Sequence, residues 1–215
     1  MPSINNFSAS TAKKLAKILN QDRSGEEILA YGLTVLLSTV SGIVIIALMA
    51  SILGVFLPTL AVTLGNGFLR ISSGGGHCTS PGRCNLLGAI VFPLLGHLTV
   101  QLSEAPYQLR LLYLGAALLL CIFIVLLRAP VLTANKPLPE QKIKRLRLRS
   151  LITAVLISGA VILLTLRQQS GYALALATGA LWQSLTLLPA GISLIAKFDA
   201  LLISLSAKIK GGDYR

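Results

Sequence analysis

From residue 28 to residue 69 the chain runs for forty-two positions without a charged side chain. A helix that crosses a bilayer needs about 20 mostly apolar residues. The run therefore accommodates two crossings joined by a tight apolar turn, placed near residues 49–51, or one long helix plus a re-entrant piece. Only 12% of the 215 residues are charged, about half of the roughly 25% usual in soluble domains. Further apolar runs at 85–100, 111–127, 151–166 and 171–188 alternate with short charged clusters, which is the pattern of a polytopic membrane protein. The expected fold is an all-α membrane bundle of about six transmembrane helices.

Lys and Arg total 19 against 7 Asp and Glu, for a net charge of +12. In a soluble chain that excess suggests nucleic acid. Here the basic residues flank the apolar runs, as the positive-inside bias requires, and no aromatic-basic platform for bases is present; no nucleic-acid partner is expected. Lys13, Lys14, Lys17 and Arg23 precede the first run, and Arg128, Lys136, Lys142, Lys144, Arg145, Arg147 and Arg149 face a single Glu140 in segment 128–149. Lys197, Lys208, Lys210 and Arg215 close the chain. All three clusters are expected in the cytoplasm. The short loops holding Glu104 and Arg110, and Arg167 to Gln169, would then be external. Parity over six spans puts both termini and segment 70–84 inside. The polar start of the chain reads as preceding an uncleaved first anchor.

Local signals fill in this frame. Ile4, Phe7, Leu15, Ile18 and Leu19 make residues 4–20 an amphipathic helix, on the membrane surface or against the bundle. Ser24 and Glu27 fit a capping box at the start of the first span. Gly32, Gly42, Gly54, Gly65 and Gly67 are read as sites of close helix packing. Asn66 and His97 are expected to face the bundle interior, His97 as a structural hydrogen-bonder. Three cysteines, Cys78, Cys84 and Cys121, show no disulfide-scaffold spacing, and Cys121 reads as a small buried apolar residue.

Chemistry concentrates in Gly74-Gly75-Gly76-His77-Cys78-Thr79-Ser80-Pro81-Gly82-Arg83-Cys84. The thiolate is the nucleophilic form of cysteine, and an imidazole can take its proton. Cys84 opens an apolar run, so it is placed at a helix N-terminus, where free backbone amides favour an anion and can receive an oxyanion. The glycines and Pro81 let the chain fold back and bring His77 to that helix end. Arg83 adds positive charge. Spacing alone leaves open an unrelated His and Cys, and also a metal site made from His77, Cys78 and Cys84. Thr79 and Ser80 lack a nucleophile-elbow context.

The pattern Arg70-(x4)-Gly75-x-His77-(x6)-Cys84 resembles the AgrB family of bacterial quorum-sensing membrane peptidases. A second match is Ala129-Pro130-Val131-Leu132-Thr133-Ala134-Asn135-Lys136-Pro137-Leu138, similar to the family's A-P-x(4)-N-K-P stretch between two spans. The resemblance implies a cysteine endopeptidase that removes the C-terminal part of a short amphipathic propeptide. It assigns Cys84 as nucleophile and His77 as general base, and has a Cys or Ser of the peptide capture the acyl group as a thiolactone or lactone. Gly75 would serve backbone geometry. Arg70 would anchor the loop or pair with a peptide carboxylate, although a plain positive-inside anchor explains it equally well. For a third catalytic residue, Thr79, Asn85 and Ser103 are the candidates. The family's propeptide tails are often acidic, so Lys136, Lys142, Lys144 and Arg145, with Arg147 and Arg149, are candidates for attracting them. Membrane topology accounts for the same charges, and the segment also suits anionic lipid.

The resulting expectation is a single integral membrane peptidase domain over residues 1–215, with an amphipathic segment at 1–27, a cytoplasmic catalytic loop at 70–84 and a basic cytoplasmic loop at 128–149. It would sit in the bacterial cell membrane, need no cofactor and hold no metal. The small residues of its spans are compatible with a homodimer. A peptide exporter without covalent chemistry is the alternative function, and a non-catalytic scaffold is a third. The exporter predicts ionisable residues within the spans, where almost none occur.

Overall fold

A computed structural model describes residues 4–131 and 139–211. Eight α-helices account for nearly all of these: α1 (Ile4–Ile18), α2 (Arg23–Ile52), α3 (Phe56–Ser73), α4 (Pro81–Ser103), α5 (Tyr107–Arg128), α6 (Glu140–Leu166), α7 (Ser170–Leu185) and α8 (Pro189–Gly211). The six apolar segments of the sequence reading are all helices, α2 to α7. The segment read as a C-terminal tail forms an additional long helix, α8. Among the described residues, five helices are long and apolar enough to cross a membrane: α2, α4, α5, α6 and α8. Their outward faces carry exposed leucines, isoleucines and phenylalanines such as Leu36, Leu98, Leu119, Phe123 and Leu156, as lipid-facing surfaces do. The chain is an all-α membrane bundle.

The middle of the bundle is α7, which buries Ala173, Leu174, Ala175, Ala177, Thr178, Gly179, Ala180, Gln183 and Ser184. Small residues permit this because they let helix backbones approach closely. A Cβ on Gly179 would overlap the carbonyl of Val62, and one on Gly65 would overlap the carbonyl of Leu176. The crossing of α3 and α7 is therefore set by two glycines. It fixes the distance between Arg70, five residues beyond Gly65, and Gln183, four beyond Gly179. Of the glycines singled out in the sequence, Gly42 and Gly65 meet neighbours, Asn85 and Leu176, whereas Gly32, Gly54 and Gly67 face open space. Gly54 instead serves the turn between α2 and α3, at φ +69°.

Several local expectations shift. The first long helix is capped by Asp22, whose Oδ1 accepts from the Gly25 amide at 2.8 Å; the expected Ser24 already lies inside α2. That helix runs on to Ile52, so the turn falls just past residues 49–51. Helix α1 packs on α2 through the small residues Ser8, Ala12 and Ala16, while Phe7 and Ile18 remain exposed. Asn66 is buried as expected. His97 faces outward and bonds with Gln101 at 3.1 Å, a structural hydrogen bond on the exposed side of α4. Cys121 is buried. The basic segment is helical from Glu140, so Lys142, Lys144, Arg145, Arg147 and Arg149 project from the first turns of α6.

Candidate active site

The C-terminal ends of α3, α5 and α7 meet at one end of the bundle. The Val131 amide donates to Ser73 O at 2.9 Å, and the Gly76 amide donates to Thr186 O at 3.3 Å. Between α3 and α4 only residues 74–80 are irregular. Arg70 thus belongs to the last turn of α3 and Cys84 to the first turn of α4. Gly74 has φ +68° and Gly75 has φ +128°, both in the region that favours glycine. A side chain on Gly74 would strike the carbonyl of Val131, and one on Gly75 would come within 2.9 Å of Thr186 Oγ1. The start of the second sequence motif, at Val131, docks directly on the first. Lys136 lies outside the described residues.

Arg70 is the hub of the first half of the loop. Its guanidinium donates to Gln183 Oε1 at 3.1 Å, to Gly76 O at 2.7 Å and to His77 Nδ1 at 2.9 Å. Of the roles open to Arg70, the structure displays loop anchoring. Gln183, fully buried, accepts from Arg70 and gives its own amide hydrogens to Ser73 Oγ at 3.1 Å and Gly74 O at 2.6 Å. The sequence reading passed over Gln183; a glutamine in an otherwise small and apolar helix is the signal that marks it.

His77 keeps an exposed edge. Burial of the rest of the ring lowers its pKa below the ordinary 6.5, and the adjacent Arg70 cation lowers it further. A guanidinium has no acceptor, so the ring nitrogen facing Arg70 is unprotonated and the imidazole neutral. No hydrogen bond joins His77 to Cys84 among the described residues; Arg70 occupies the space beside the imidazole. The third-residue candidates are engaged elsewhere. Thr79 binds Asp199, Asn85 donates to Ser38 O and Ser41 Oγ at 3.0 Å each, and Ser103 bonds Val100 O, in the last turn of α4.

Helix α4 begins at Pro81, with Ser80 in extended conformation at its N-cap. Proline is well suited to that first position because its missing N–H would have no partner there. The helix thus starts one turn earlier than the apolar run suggested. The Cys84 amide already donates to Ser80 O at 3.1 Å, so the first-turn amides left without an intrahelical acceptor are those of Gly82 and Arg83. Cys84 is half-buried and lines a cavity of about 250 Å³ with Asn66, Arg70, Gly76, Asn85 and Trp182; its far wall is Gly42, Ile43 and Ile46 of α2. The buried Asn66 Oδ1 has no hydrogen-bond partner. Lys142, Lys144 and Arg145 do not line this cavity.

Cys78 is half-buried too. Its pKa is pushed up to about 11, first by burial, then by the neighbouring Cys84 and Asp199, so at neutral pH it is a protonated thiol and a poor nucleophile. Among the described residues no three His, Cys, Asp or Glu side chains converge to hold a metal ion, so the ligand set of His77, Cys78 and Cys84 is not assembled.

Fold and site together define a helical membrane protein with one polar, glycine-built loop closing an apolar cavity beside a half-buried thiol. The family profile described as accessory gene regulator B matches residues 8–187. Relatives include AgrB-like protein 2 of Clostridium perfringens (strain 13 / Type A), 31% identical over 92% of this chain and 97% of its own length. Accessory gene regulator protein B of Staphylococcus intermedius is 32% identical over 72% of this chain and 77% of its own. The Staphylococcus aureus (strain Newman) protein of that name is 26% identical over 74% and 79%. No solved structure gives a significant match. The chain belongs to the AgrB family.

Proposed function

We propose that this protein is a membrane cysteine endopeptidase of quorum sensing, which cleaves a short amphipathic propeptide and closes its N-terminal product into a thiolactone or lactone. The observation that carries this reading is the placement of Cys84: a thiol in the first turn of a helix, on the wall of an apolar cavity roofed by Arg70 and Gly76. The cavity takes the apolar residues of the peptide. Its unpaired Asn66 carbonyl accepts a peptide N–H, and its largely apolar lining disfavours the water that would hydrolyse a thioester.

The Cys84 sulfur attacks the scissile carbonyl as its proton passes to the His77 imidazole, and the Gly82 and Arg83 amides receive the oxyanion. The C–N bond breaks, the leaving amine takes the proton from His77, and the peptide acyl group remains on Cys84 as a thioester. A Cys or Ser side chain of the same peptide then attacks that carbonyl. The bond to Cys84 breaks and its thiol is restored. Arg70 holds the imidazole lone pair in the resting state. A peptide carboxylate that draws Arg70 away frees His77 to act as base, which couples substrate arrival to activation of the thiol. The basic face of α6 attracts an acidic propeptide tail, the lipid bilayer holds the peptide's apolar face, and the site opens to the cytoplasm.

Mass spectrometry of a candidate propeptide, incubated with the reconstituted protein and its variants, tests this. Cleavage and ring formation by the wild type and by Cys78→Ala are expected, with a loss of ~1000-fold or more in Cys84→Ala. Equal processing by all three would remove Cys84 as nucleophile.

A further inference from the structure

The second half of the loop is held by a residue outside the family-matched segment. Asp199, on α8, is buried and uses both carboxylate oxygens. Oδ2 accepts from the Thr79 amide at 3.0 Å and from the Thr79 hydroxyl at 2.7 Å. Oδ1 pairs with Arg83 Nε at 2.5 Å. Arg83 also donates to Thr79 Oγ1, which closes a ring of three side chains around the start of α4. The residue after Arg83 is Cys84. The family profile ends at residue 187, and an acid in an apolar helix is costly unless it has a specific partner.

A second observation points the same way. Ile192, Ile195 and Asp199 lie three and four residues apart, on one face of α8. Gly76 sits beneath this face: a Cβ there would come within 3.0 Å of Ile195 Cδ1 and 3.3 Å of Ile192 Cα. Ile195 also lines the Cys84 cavity. The same helix face therefore covers the loop at Gly76 and grips it at Thr79 and Arg83, while Leu194, Leu201, Ile203 and Leu205 on α8 stay exposed.

We infer that α8 is a strap across the catalytic loop and that Asp199 is its positioning residue, fixing the first turn of α4 and hence the direction of Cys84. This rests on the peptidase reading of Cys84. In acting through Thr79 and Arg83, Asp199 touches neither substrate nor reacting atoms. Two charge-assisted hydrogen bonds and an ion pair to a single carboxylate hold a short loop far more firmly than neutral contacts would. Removal of the carboxylate should let residues 78–83 move as a unit, because α8 and α4 share few other contacts.

The full chain in lipid nanodiscs, as wild type, Asp199→Asn and Asp199→Ala, is treated with iodoacetamide, and modification of each cysteine is followed by peptide mapping. Processing of the propeptide is measured alongside. In Asp199→Ala, Cys78 and Cys84 should react about tenfold faster, with buried Cys121 unchanged as the internal reporter of an intact bundle. Asp199→Asn should fall between, since it keeps an acceptor for Thr79 and loses the ion pair with Arg83. The turnover number should drop with the same ranking, with the KM for the peptide within about twofold of wild type. Loop cysteines that react at wild-type rates in both variants would overturn the inference. So would a rise at Cys121 matching that at Cys78 in both, which would make Asp199 a support of the whole fold. Should Cys84→Ala process the peptide as wild type does, the peptidase reading fails and takes the catalytic role of Asp199 with it, while the labelling rates still decide whether α8 straps the loop.

Discussion

The two halves of the loop are held by different chemistry. Residues 74–76 are held by the buried amide of Gln183 on α7 and by a backbone bridge to Val131, and a side chain at Gly74 or Gly75 would collide with these neighbours. Residues 78–83 are gripped by α8 through one carboxylate and one guanidinium, and Thr79 itself is exposed. The first half is built like a protein core and is intolerant of added atoms. The second is an electrostatic clasp at the edge of the bundle. His77 belongs to the rigid half and Cys84 follows the clasped half, so the alignment of the two depends on both supports.

The largest loss is expected at Gly74. Gly74→Ala places a Cβ against the carbonyl of Val131 at a positive φ, and a loss of about 3 kcal/mol or more is expected. A thermal-unfolding midpoint close to wild type would show that the loop can rearrange and that the first half is less rigid than its contacts imply. Next in size is Gln183→Leu, which preserves volume but strips acceptor and donor from Arg70, Ser73 and Gly74. Leaving Arg70 Nη1 without its acceptor, and Ser73 and Gly74 without the Gln183 donor, costs on the order of 2–3 kcal/mol, read in chemical denaturation. Processing should fall as well, because Arg70 loses the contact that aims it.

The smallest effect is on the pH dependence. His77 is held below its ordinary pKa of 6.5 by burial and by Arg70, so a free-base requirement keeps kcat/KM level from neutrality to below that value before it falls. Protonation is the losing direction: the limb lies on the acid side and marks His77 taking up a proton. Arg70→Gln removes the cation, raises the His77 pKa and should move the limb to higher pH in whatever activity remains. An acid limb at the same pH in both proteins would mean that Arg70 does not set the protonation of His77.

Helices α2 to α7 and the buried state of Cys121 were legible along the chain, because hydropathy is a local property. The motifs also pointed to Arg70, His77 and Cys84 as neighbours of one short loop. Gln183 and Asp199 were not legible as site residues: they lie 113 and 120 positions from Arg70 and Thr79, the groups they hold. The spacing of Ile192, Ile195 and Asp199 was visible, but a helix face declares its partner only once something is packed against it.

The sequence dictates an apolar helical bundle and supplies the few polar residues that it buries, because uncharged runs of about 20 residues satisfy their backbone in lipid as helices. Which of those polar residues meet is settled by packing. It bonded Arg70 to His77 and Gln183, seated Val131 on Gly74, and turned a basic tail into a helix whose single buried acid closes on the first turn of α4. Hydrogen bonds and ion pairs act over a few ångströms, and only packing brings residues so distant in the chain within that reach.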